Sequence, residues 1–359
     1  MVHSHARKFV CWQGDLPVCT MTTQDDYFFE GVEKRVAIDF EARQGSSLRS
    51  IPRTIIDEIL NLCRCQIMRH IVTDYFDSYI LSESSLFVYP TKVILKTCGT
   101  TEPLLGIPLL IQEANKLGLY PAKLVYSHKN FLRPSEQPPI FRSIEAERES
   151  LESGPFSGGR LDVIGQGDDY WFVYRKSWSG QDCLDKSNLF TCDILVTAFC
   201  PNVAGNFFRS SCSEDTASSA GSTIDSETCT DLSRMESVIK PMLPLEISSV
   251  SFDPCGFSCN GVDEDRYATV HVTPEPRFMF ASFELSGKTK SEISSLAVRV
   301  ARGMSAGKVT INCLPDGPAG EDAADYLIHD LVQSLEEYKL QSQGSVDGYS
   351  TVTFVQKRS

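Results

Sequence analysis

From Tyr27 onward the chain alternates between two hydrophobic rhythms, one typical of helices and one of strands. The segment PRTIIDEILNLC repeats apolar residues at helical spacing behind Pro52, which suits the first turn of a helix. A second helix is predicted over EPLLGIPLLIQEANKLG, ending at Gly118. Strands are predicted where β-branched and aromatic residues cluster: YFFEGVEKRVAIDF, QIMRHIVTDYFDSYIL, SLFVY, KVILKTC, AKLVYSHKNF, GRLDVIG, YWFVYRKSW and LFTCDILVTAF. Pro90-Thr91 is the predicted turn between SLFVY and KVILKTC.

The same kinds of element recur in the C-terminal part of the chain. Strands are predicted at EISSVSFDPC, YATVHVTP, FMFASFEL, KVTIN and YSTVTFVQK, and helices around Ser291 to Arg302 and over AADYLIHDLVQSLEEY. Because the strands come in runs punctuated by helix pairs, the pattern favours antiparallel sheets with helices on one face. The predicted fold class is α+β, a four-layer αββα sandwich of two antiparallel sheets with helices on the outer faces.

Breaks in the pattern divide the chain. Residues 1–26 lack periodicity and are interpreted as a flexible leader before a first α+β half at residues 27–209. Residues 210–231, SSCSEDTASSAGSTIDSETCTD, are acidic and Ser/Thr-rich with Ile224 as the only large aliphatic residue, which predicts a disordered loop. Residues 232–359 form the second α+β half, and we expect the two halves to build one domain.

Composition and charge disfavour several classes of function. The formal net charge is -13 and the basic runs, such as Lys357-Arg358, are short, so nucleic acid is an unexpected partner and a small cationic metabolite fits better. The odd count of 13 cysteines without a secretory signal predicts reduced thiols and a cytoplasmic location. Cys63-Arg64-Cys65 is not a CxxC pair and the 6 histidines form no HxxxH, so no metal is expected. No run approaches the ~18 apolar residues of a membrane span.

The segment LSESSLFVYPTKVILKTCGTT sets Glu83, Ser84 and Ser85 at a strand entrance and Cys98 at the end of the return strand. Taken alone, serines at a strand entrance are commonly turn or edge residues, and a lone cysteine commonly packs. A hydroxyl can attack the adjacent peptide carbonyl only where the backbone is held strained, as packed strand junctions allow. The resulting ester can break by elimination if a base removes the serine α proton.

A second group of candidates lies downstream. FDPCGFSCNG places Ser258 on a Gly-rich turn after a strand, and TVHVTPEP places His271 and then Glu275 on or just past the next strand. A serine and a histidine on adjacent strands suit proton transfer, because the histidine pKa lies nearest neutrality. The alternative is a turn serine and a strand histidine whose hydrogen bonds are merely structural.

Two carboxylates open the first predicted strand. Glu30 and Glu33 are three residues apart, which places them on opposite faces of a strand. If both serve one site, a bulge is expected at Gly31. A solvated pair of carboxylates is the alternative.

These segments together resemble the eukaryotic S-adenosylmethionine decarboxylases, in particular their plant members. FFEGVEKR, YILSESSLFVYPTKVILKTCGTT, FDPCGFSCNG and HVTPEPRFMFASFE occur in the order of the family, and the resemblance runs from about Tyr27 to the C-terminus. It implies a proenzyme that cuts itself between Glu83 and Ser84, with the Ser84 hydroxyl attacking the Glu83 carbonyl. His271 would remove the α proton, and Ser258 would assist the acyl shift. The small and large chains cut from one precursor would together form a single catalytic domain.

The resemblance also implies the chemistry of the mature enzyme. Ser84 would become a pyruvoyl cofactor that forms a Schiff base with S-adenosylmethionine, and Cys98 would protonate the substrate carbon after loss of CO2. The product would be the aminopropyl donor for spermidine and spermine. The implied pocket residues are Phe29 and Phe252 around the adenine, Glu275 on the ribose, and the Leu81 backbone and Glu30, with Glu33 more involved in processing.

Departures from the animal members concern stimulation by putrescine, which in them acts through a buried acidic cluster between the sheets. Ala37 and Leu189 replace two of its carboxylates, whereas Asp193 and Glu284 remain. Arg35 stands where plant members carry an arginine, and its fixed guanidinium could do what a bound diamine does elsewhere. The resemblance therefore predicts a putrescine-independent enzyme.

Two other functions compete with this interpretation. A catalytically inactive regulatory paralogue that binds and activates a decarboxylase is disfavoured because Glu83, Ser84, Cys98, Ser258 and His271 are all retained. A Ser/His hydrolase using Ser258 and His271 would lack the GxSxG nucleophile elbow. The sequence leaves open whether the protein is a monomer or a homodimer.

Overall fold

In a computed structural model of the protein, the described residues are 29–43, 45–82, 84–167, 169–178, 189–210, 226–275, 278–315 and 323–357. The predicted leader, Glu83 and the core of the predicted loop at residues 211–225 lie outside these ranges. None of the helices in this described part of the chain is long and apolar enough to cross a membrane.

The N-terminal half builds an antiparallel sheet of eight strands. They are β1 (Lys34–Ala42), β2 (Ile67–Val72), β3 (Asp77–Leu81), β4 (Ser84–Val88), β5 (Lys92–Thr97), β6 (Leu119–Lys129), β7 (Arg160–Gln166) and β8 (Asp169–Ser177). Their order across the sheet is β2-β3-β4-β5-β1-β6-β8-β7. The first strand of the chain therefore lies in the middle of the sheet.

The C-terminal half builds a second antiparallel sheet of eight strands. They are β9 (Phe190–Thr197), β10 (Ile247–Ser251), β11 (Phe257–Asp263), β12 (Arg266–Thr273), β13 (Phe280–Lys288), β14 (Lys308–Pro315), β15 (Tyr338–Val346) and β16 (Tyr349–Gln356). Their order, β10-β11-β12-β13-β9-β14-β16-β15, repeats the order of the first sheet strand for strand. The two halves thus share one topology, although no residue-level repeat is visible in the sequence.

Helices cover the outer face of each sheet. The first sheet carries α1 (Arg53–Leu62), α2 (Ile107–Lys116) and α3 (Ile144–Ser153), and the second half contributes α4 (Pro201–Ala204), α5 (Ser226–Ile239), α6 (Lys290–Gly303) and α7 (Ala324–Ser334). One large apolar core joins the first sheet to its helices and another joins the second sheet to its own. A small apolar cluster that includes Phe87 and Tyr267 joins the two sheets face to face. The predicted α+β sandwich of two antiparallel sheets is confirmed.

Several predicted boundaries were wrong. Disorder was predicted through Asp231, but α5 begins at Ser226, and the buried Asp231 carboxylate accepts hydrogen bonds from the Ser210 backbone at 2.9 Å and from its hydroxyl at 2.7 Å. The helix predicted to reach Tyr338 ends at Ser334, because Tyr338 starts edge strand β15. Helix α3 and strand β15 were not predicted at all.

Candidate active site

Ser84 lies at the junction between the two sheets and has a strained backbone. It opens β4, directly opposite Leu81 on β3 and Thr97 on β5, and its side chain is buried. Its φ of 119° lies in a region that L-residues rarely adopt, so the backbone is strained at the residue that follows Glu83. The Ser84 hydroxyl donates to Glu33 Oε1 at 2.5 Å and lies 3.1 Å from His271 Nε2.

His271 connects Ser84 to Ser258. Ser258 on β11 and His271 on β12 are paired across their strands, and Ser258 Oγ lies 2.7 Å from His271 Nδ1. The other ring nitrogen faces Ser84 and lies 2.7 Å from Thr269 Oγ1. Burial lowers the pKa of His271 to about 4, with Glu33 opposing the shift, so the imidazole is neutral near pH 7 and can accept a proton.

The prediction that Ser258 lies on a turn was wrong. Ser258 is the second residue of β11, whose first residue is Phe257. The turn is made earlier by Gly256, whose φ of 117° suits a residue without a side chain. The strand geometry fixes the Ser258 hydroxyl against His271, which a turn would not do.

A buried ionic cluster adjoins this group. Lys96 Nζ on β5 lies 2.9 Å from Glu33 Oε2, 3.3 Å from Asp193 Oδ2 and 3.1 Å from Glu284 Oε2. Arg35 Nε on β1 lies 3.0 Å from Glu284 Oε1. Three carboxylates from both sheets thus share two fixed cations within a space closed to water.

The charges of the cluster set its protonation. Burial opposes ionisation of Glu284, but Lys96 and Arg35 outweigh it and lower the pKa of Glu284. Burial and the neighbouring carboxylates raise the pKa of Asp193 to about 7 against the attraction of Lys96. The Asp193 carboxyl is therefore partly protonated near neutral pH, while the carboxylates of Glu33 and Glu284, whose pKa values are lowered, stay ionised.

Lys96 was missed at the sequence level. Its signal is a charged residue inside the apolar strand KVILKT, where a buried lysine needs carboxylate partners. Two of those partners, Asp193 and Glu284, lie on β9 and β13, far away in sequence. Position 37 carries an alanine rather than a carboxylate, and Ala37 packs in the apolar cluster between the sheets.

Cys98 follows β5 in a turn whose peptide groups are fixed. The Thr101 hydroxyl donates to the Cys98 carbonyl at 2.6 Å, and the Gly99 amide donates to the Glu30 carbonyl at 2.8 Å. The Lys34 ammonium donates to the Gly99 carbonyl at 2.9 Å. Gly99 has a φ of 60°, which completes the turn. The Cys98 side chain is 8% exposed.

Glu30 and Glu33 do not share partners. The Glu30 carboxylate accepts hydrogen bonds from the Leu132 amide at 2.9 Å and the Arg133 amide at 3.1 Å, and burial raises its pKa. The bulge considered at Gly31 does not form, because β1 begins only at Lys34. Gly31 has another role: a Cβ there would lie 2.8 Å from the Phe280 side chain.

The remaining predicted pocket residues lie around the same end of the sandwich. The Phe29 amide donates to Glu275 Oε2 at 3.3 Å, just beyond the end of β12. Leu81 is the last residue of β3 and is buried beside Ser84. Phe252 closes the hairpin before β11 through a 3.0 Å bond from its amide to the Gly256 carbonyl.

The chain is similar to known proteins along most of its length. The adenosylmethionine decarboxylase family model matches residues 26–355. S-adenosylmethionine decarboxylase proenzyme 3 of Brassica juncea is 37% identical over 288 residues, which cover 76% of this chain and 74% of that protein. The S-adenosylmethionine decarboxylase proenzyme of Caenorhabditis elegans is 38% identical over 269 residues, covering 72% of this chain and 69% of that protein. The crystal structure of the Trypanosoma brucei AdoMetDC-delta26 monomer has a similar fold, with a TM-score of 0.51 at 20% identity over 76% of this chain and 99% of that one.

Proposed function

The chain belongs to the adenosylmethionine decarboxylase family, and from this premise we propose that it is a self-processing, pyruvoyl-dependent decarboxylase of S-adenosylmethionine. Its product would be the aminopropyl donor for spermidine and spermine. The observation that carries the proposal is the contact of the strained, buried Ser84 hydroxyl with both Glu33 and His271.

The residues around Ser84 fit the formation of a pyruvoyl group. The Ser84 oxygen attacks the Glu83 carbonyl carbon, the peptide C–N bond breaks, and an ester and a free Ser84 amine result. Neutral His271 then takes the Ser84 α proton through Nε2, and the Cβ–O bond breaks to release Glu83 as a carboxylate. Residue 84 is left as a dehydroalanine, and water adds to the carbon of its imine tautomer as ammonia leaves, which gives the ketone. Ser258, held 2.7 Å from His271 Nδ1, fixes the orientation of the ring.

In the mature enzyme the pyruvoyl group would supply a carbonyl that binds the substrate amine and accepts electrons when CO2 leaves. The side chains of this protein would do the rest. Cys98, in its fixed turn, would protonate the substrate carbon. Phe29 and Phe252 would hold the adenine, and Glu275, already at the Phe29 backbone, would bind the ribose hydroxyls.

We further propose that the enzyme does not need putrescine. Lys96 and Arg35 already provide two fixed positive charges against Glu33, Asp193 and Glu284. A diamine would bring two more charges into a cluster that these side chains already neutralise in large part. The buried Ala37 removes one position at which a diamine would find a carboxylate.

Intact-mass spectrometry of the purified protein tests the proposal. The wild type should give two chains split at Glu83/Ser84, the larger with a blocked N-terminus, and the Ser84→Ala variant a single chain. Ser350→Ala, a buried serine on β16, is the matched control and should cut normally. Release of labelled CO2 from S-adenosylmethionine by the cut protein completes the test. A single uncut wild-type chain without CO2 release would favour the regulatory paralogue.

A further inference from the structure

Lys34 is a buried cation outside the ionic cluster. Its side chain points to the other face of β1 from Arg35, its neighbour in the chain, and it is fully buried. Among the described residues no carboxylate lies within 4.0 Å of its ammonium. The ammonium donates to the Gly99 carbonyl at 2.9 Å and to Gln137 Oε1 at 3.3 Å. A buried charge whose hydrogen bonds go only to neutral groups is costly, so its position needs an explanation.

Aromatic rings complete the surroundings of this ammonium. It lies 5.2 Å from the ring centre of Phe131 and 4.9 Å from that of Phe141, where ring faces attract a cation. Burial lowers the pKa of Lys34 to about 8, and the Cys98 thiol is the strongest of the ionisable neighbours that oppose this shift, followed by Glu147. The ammonium thus keeps its charge near pH 7.

The backbone brings Lys34 and Cys98 together. Lys34 on β1 is paired with Thr97 on β5, and Cys98 is the next residue. The Lys34 side chain passes this position and reaches the carbonyl of Gly99, one residue beyond Cys98. The same side chain therefore fixes the turn and holds its positive charge at the peptide group that follows Cys98.

We propose that Lys34 is a positioning residue for Cys98. Lys34 holds the turn and stabilises the thiolate that forms when Cys98 donates its proton. The inference rests on the proposed function, in which Cys98 protonates the substrate carbon. In that step the S–H bond breaks, its electron pair stays on sulfur, and the pair left by CO2 forms the new C–H bond. The ammonium lowers the energy of the thiolate and so makes the thiol a stronger acid. Water later returns a proton to the sulfur.

The test measures the thiol rather than turnover. Cys98 is alkylated with iodoacetamide across a pH series in the uncut Ser84→Ala protein, and peptide mass spectrometry reports each cysteine separately. Cys200 and Cys255, both partly exposed, are internal references. Lys34→Gln should move the inflection of the Cys98 profile upward by about 1 to 3 pH units, because it keeps a donor for Gly99 but loses the charge.

Two variants sharpen the result. Lys34→Arg keeps the charge and should retain a profile close to that of the parent protein. Lys129→Met removes another buried lysine of the same sheet, one that pairs with Asp169, and should leave the Cys98 profile unchanged. An unchanged profile in folded Lys34→Gln would overturn the inference.

If Lys34→Gln does not fold, the profile of the parent protein decides. Cys98 is more buried than Cys200 and Cys255, so without the ammonium its inflection should lie above theirs. An inflection below theirs supports the inference and one above theirs overturns it. A wild type that neither cuts itself nor releases CO2 would defeat the proposed function but not the thiol measurement. An unchanged thiol profile in an active enzyme would defeat only the role of Lys34.

Discussion

At the scale of single residues, the low pKa of His271 predicts that the proposed self-cleavage is insensitive to mild acid. A histidine must be neutral to accept the Ser84 α proton, and burial lowers the pKa of His271 to about 4. We expect the cleavage rate of freshly synthesised precursor to be nearly equal at pH 7.5 and about pH 5.5, measured by gel electrophoresis over time. A histidine with the ordinary pKa of about 6.5 would be only about one-tenth neutral at pH 5.5 and would slow cleavage roughly tenfold.

The sequence motifs indicated Ser84, Cys98, Ser258 and His271, and the structure brings Ser84, Ser258 and His271 together. They did not indicate Lys96, Lys34, Asn260 or Ser282. The reason is physical, because each of these side chains is explained by partners that are distant in the sequence. Asn260 on β11 accepts from Ser85 on β4 at 2.7 Å, and the Ser282 hydroxyl on β13 donates to Glu33. A strand reveals which face a residue occupies, but not what faces it across the sandwich.

At the scale of elements, the segment before β1 can reach the second sheet only because residue 31 is a glycine. In Gly31→Ala the new methyl group would lie 2.8 Å from the Phe280 side chain on β13, and Glu33 would move with the displaced segment. We expect the free energy of unfolding to fall by about 1–3 kcal/mol and self-cleavage to slow. Urea denaturation of the Ser84→Ala background and a cleavage time course would measure the two effects.

Gly205→Ala is the matched control for this prediction. Within the described part of the chain, no neighbouring side chain or strand comes within 4 Å of the position that a Cβ at Gly205 would occupy, so the methyl group would project into open space. It should leave both cleavage and stability nearly unchanged. Equal behaviour of the two variants would refute the packing explanation for Gly31.

Elements with a clear hydrophobic rhythm were predictable, and those without one were not. Helix α1 fills the predicted segment between its end residues Pro52 and Cys63, and Ile56, Ile59 and Leu60 are buried. Helix α3 offers few apolar residues, and it is fixed instead by the Ser143 cap and by Glu147, which accepts hydrogen bonds from Tyr126 and His128. Strand β15 is a mostly exposed edge strand that depends on pairing with β16. The local hydrophobic pattern does not predict this pairing.

At the scale of the whole molecule, the ionic cluster sets carboxylates against cations between the two sheets. In Arg35→Leu, Glu284 would lose one of its two cations inside the sandwich. We expect a loss of roughly 3–5 kcal/mol in the free energy of unfolding, as for a broken buried ion pair. We also expect slower decarboxylation that added putrescine partly restores, whereas the wild type should not respond.

The control for this variant is an arginine outside the sandwich. Arg53→Leu breaks an exposed pair with Asp57 at 2.9 Å and a contact 5.9 Å from the centre of the Tyr79 ring, both outside the ionic cluster, so stability should change little and the putrescine response should stay that of the wild type. Activity assays with and without putrescine separate the two variants. A several-fold rise in wild-type activity with putrescine would contradict the proposed independence.

The central place of β1 in the first sheet determines whether the two chains of a cut protein stay together. A break at Glu83/Ser84 assigns β1, β2 and β3 to one chain, yet β1 is hydrogen-bonded on one side to β5 and on the other to β6, both in the other chain. The two fragments would therefore remain joined by the hydrogen bonds of the sheet, and refolding of the cut protein would require two chains to associate rather than one chain to fold. Refolding of the denatured, cut protein should slow on dilution, whereas refolding of uncut Ser84→Ala should not. The uncut precursor folds as a single molecule. The cut enzyme, once unfolded, would regain its fold only when its two chains associate again.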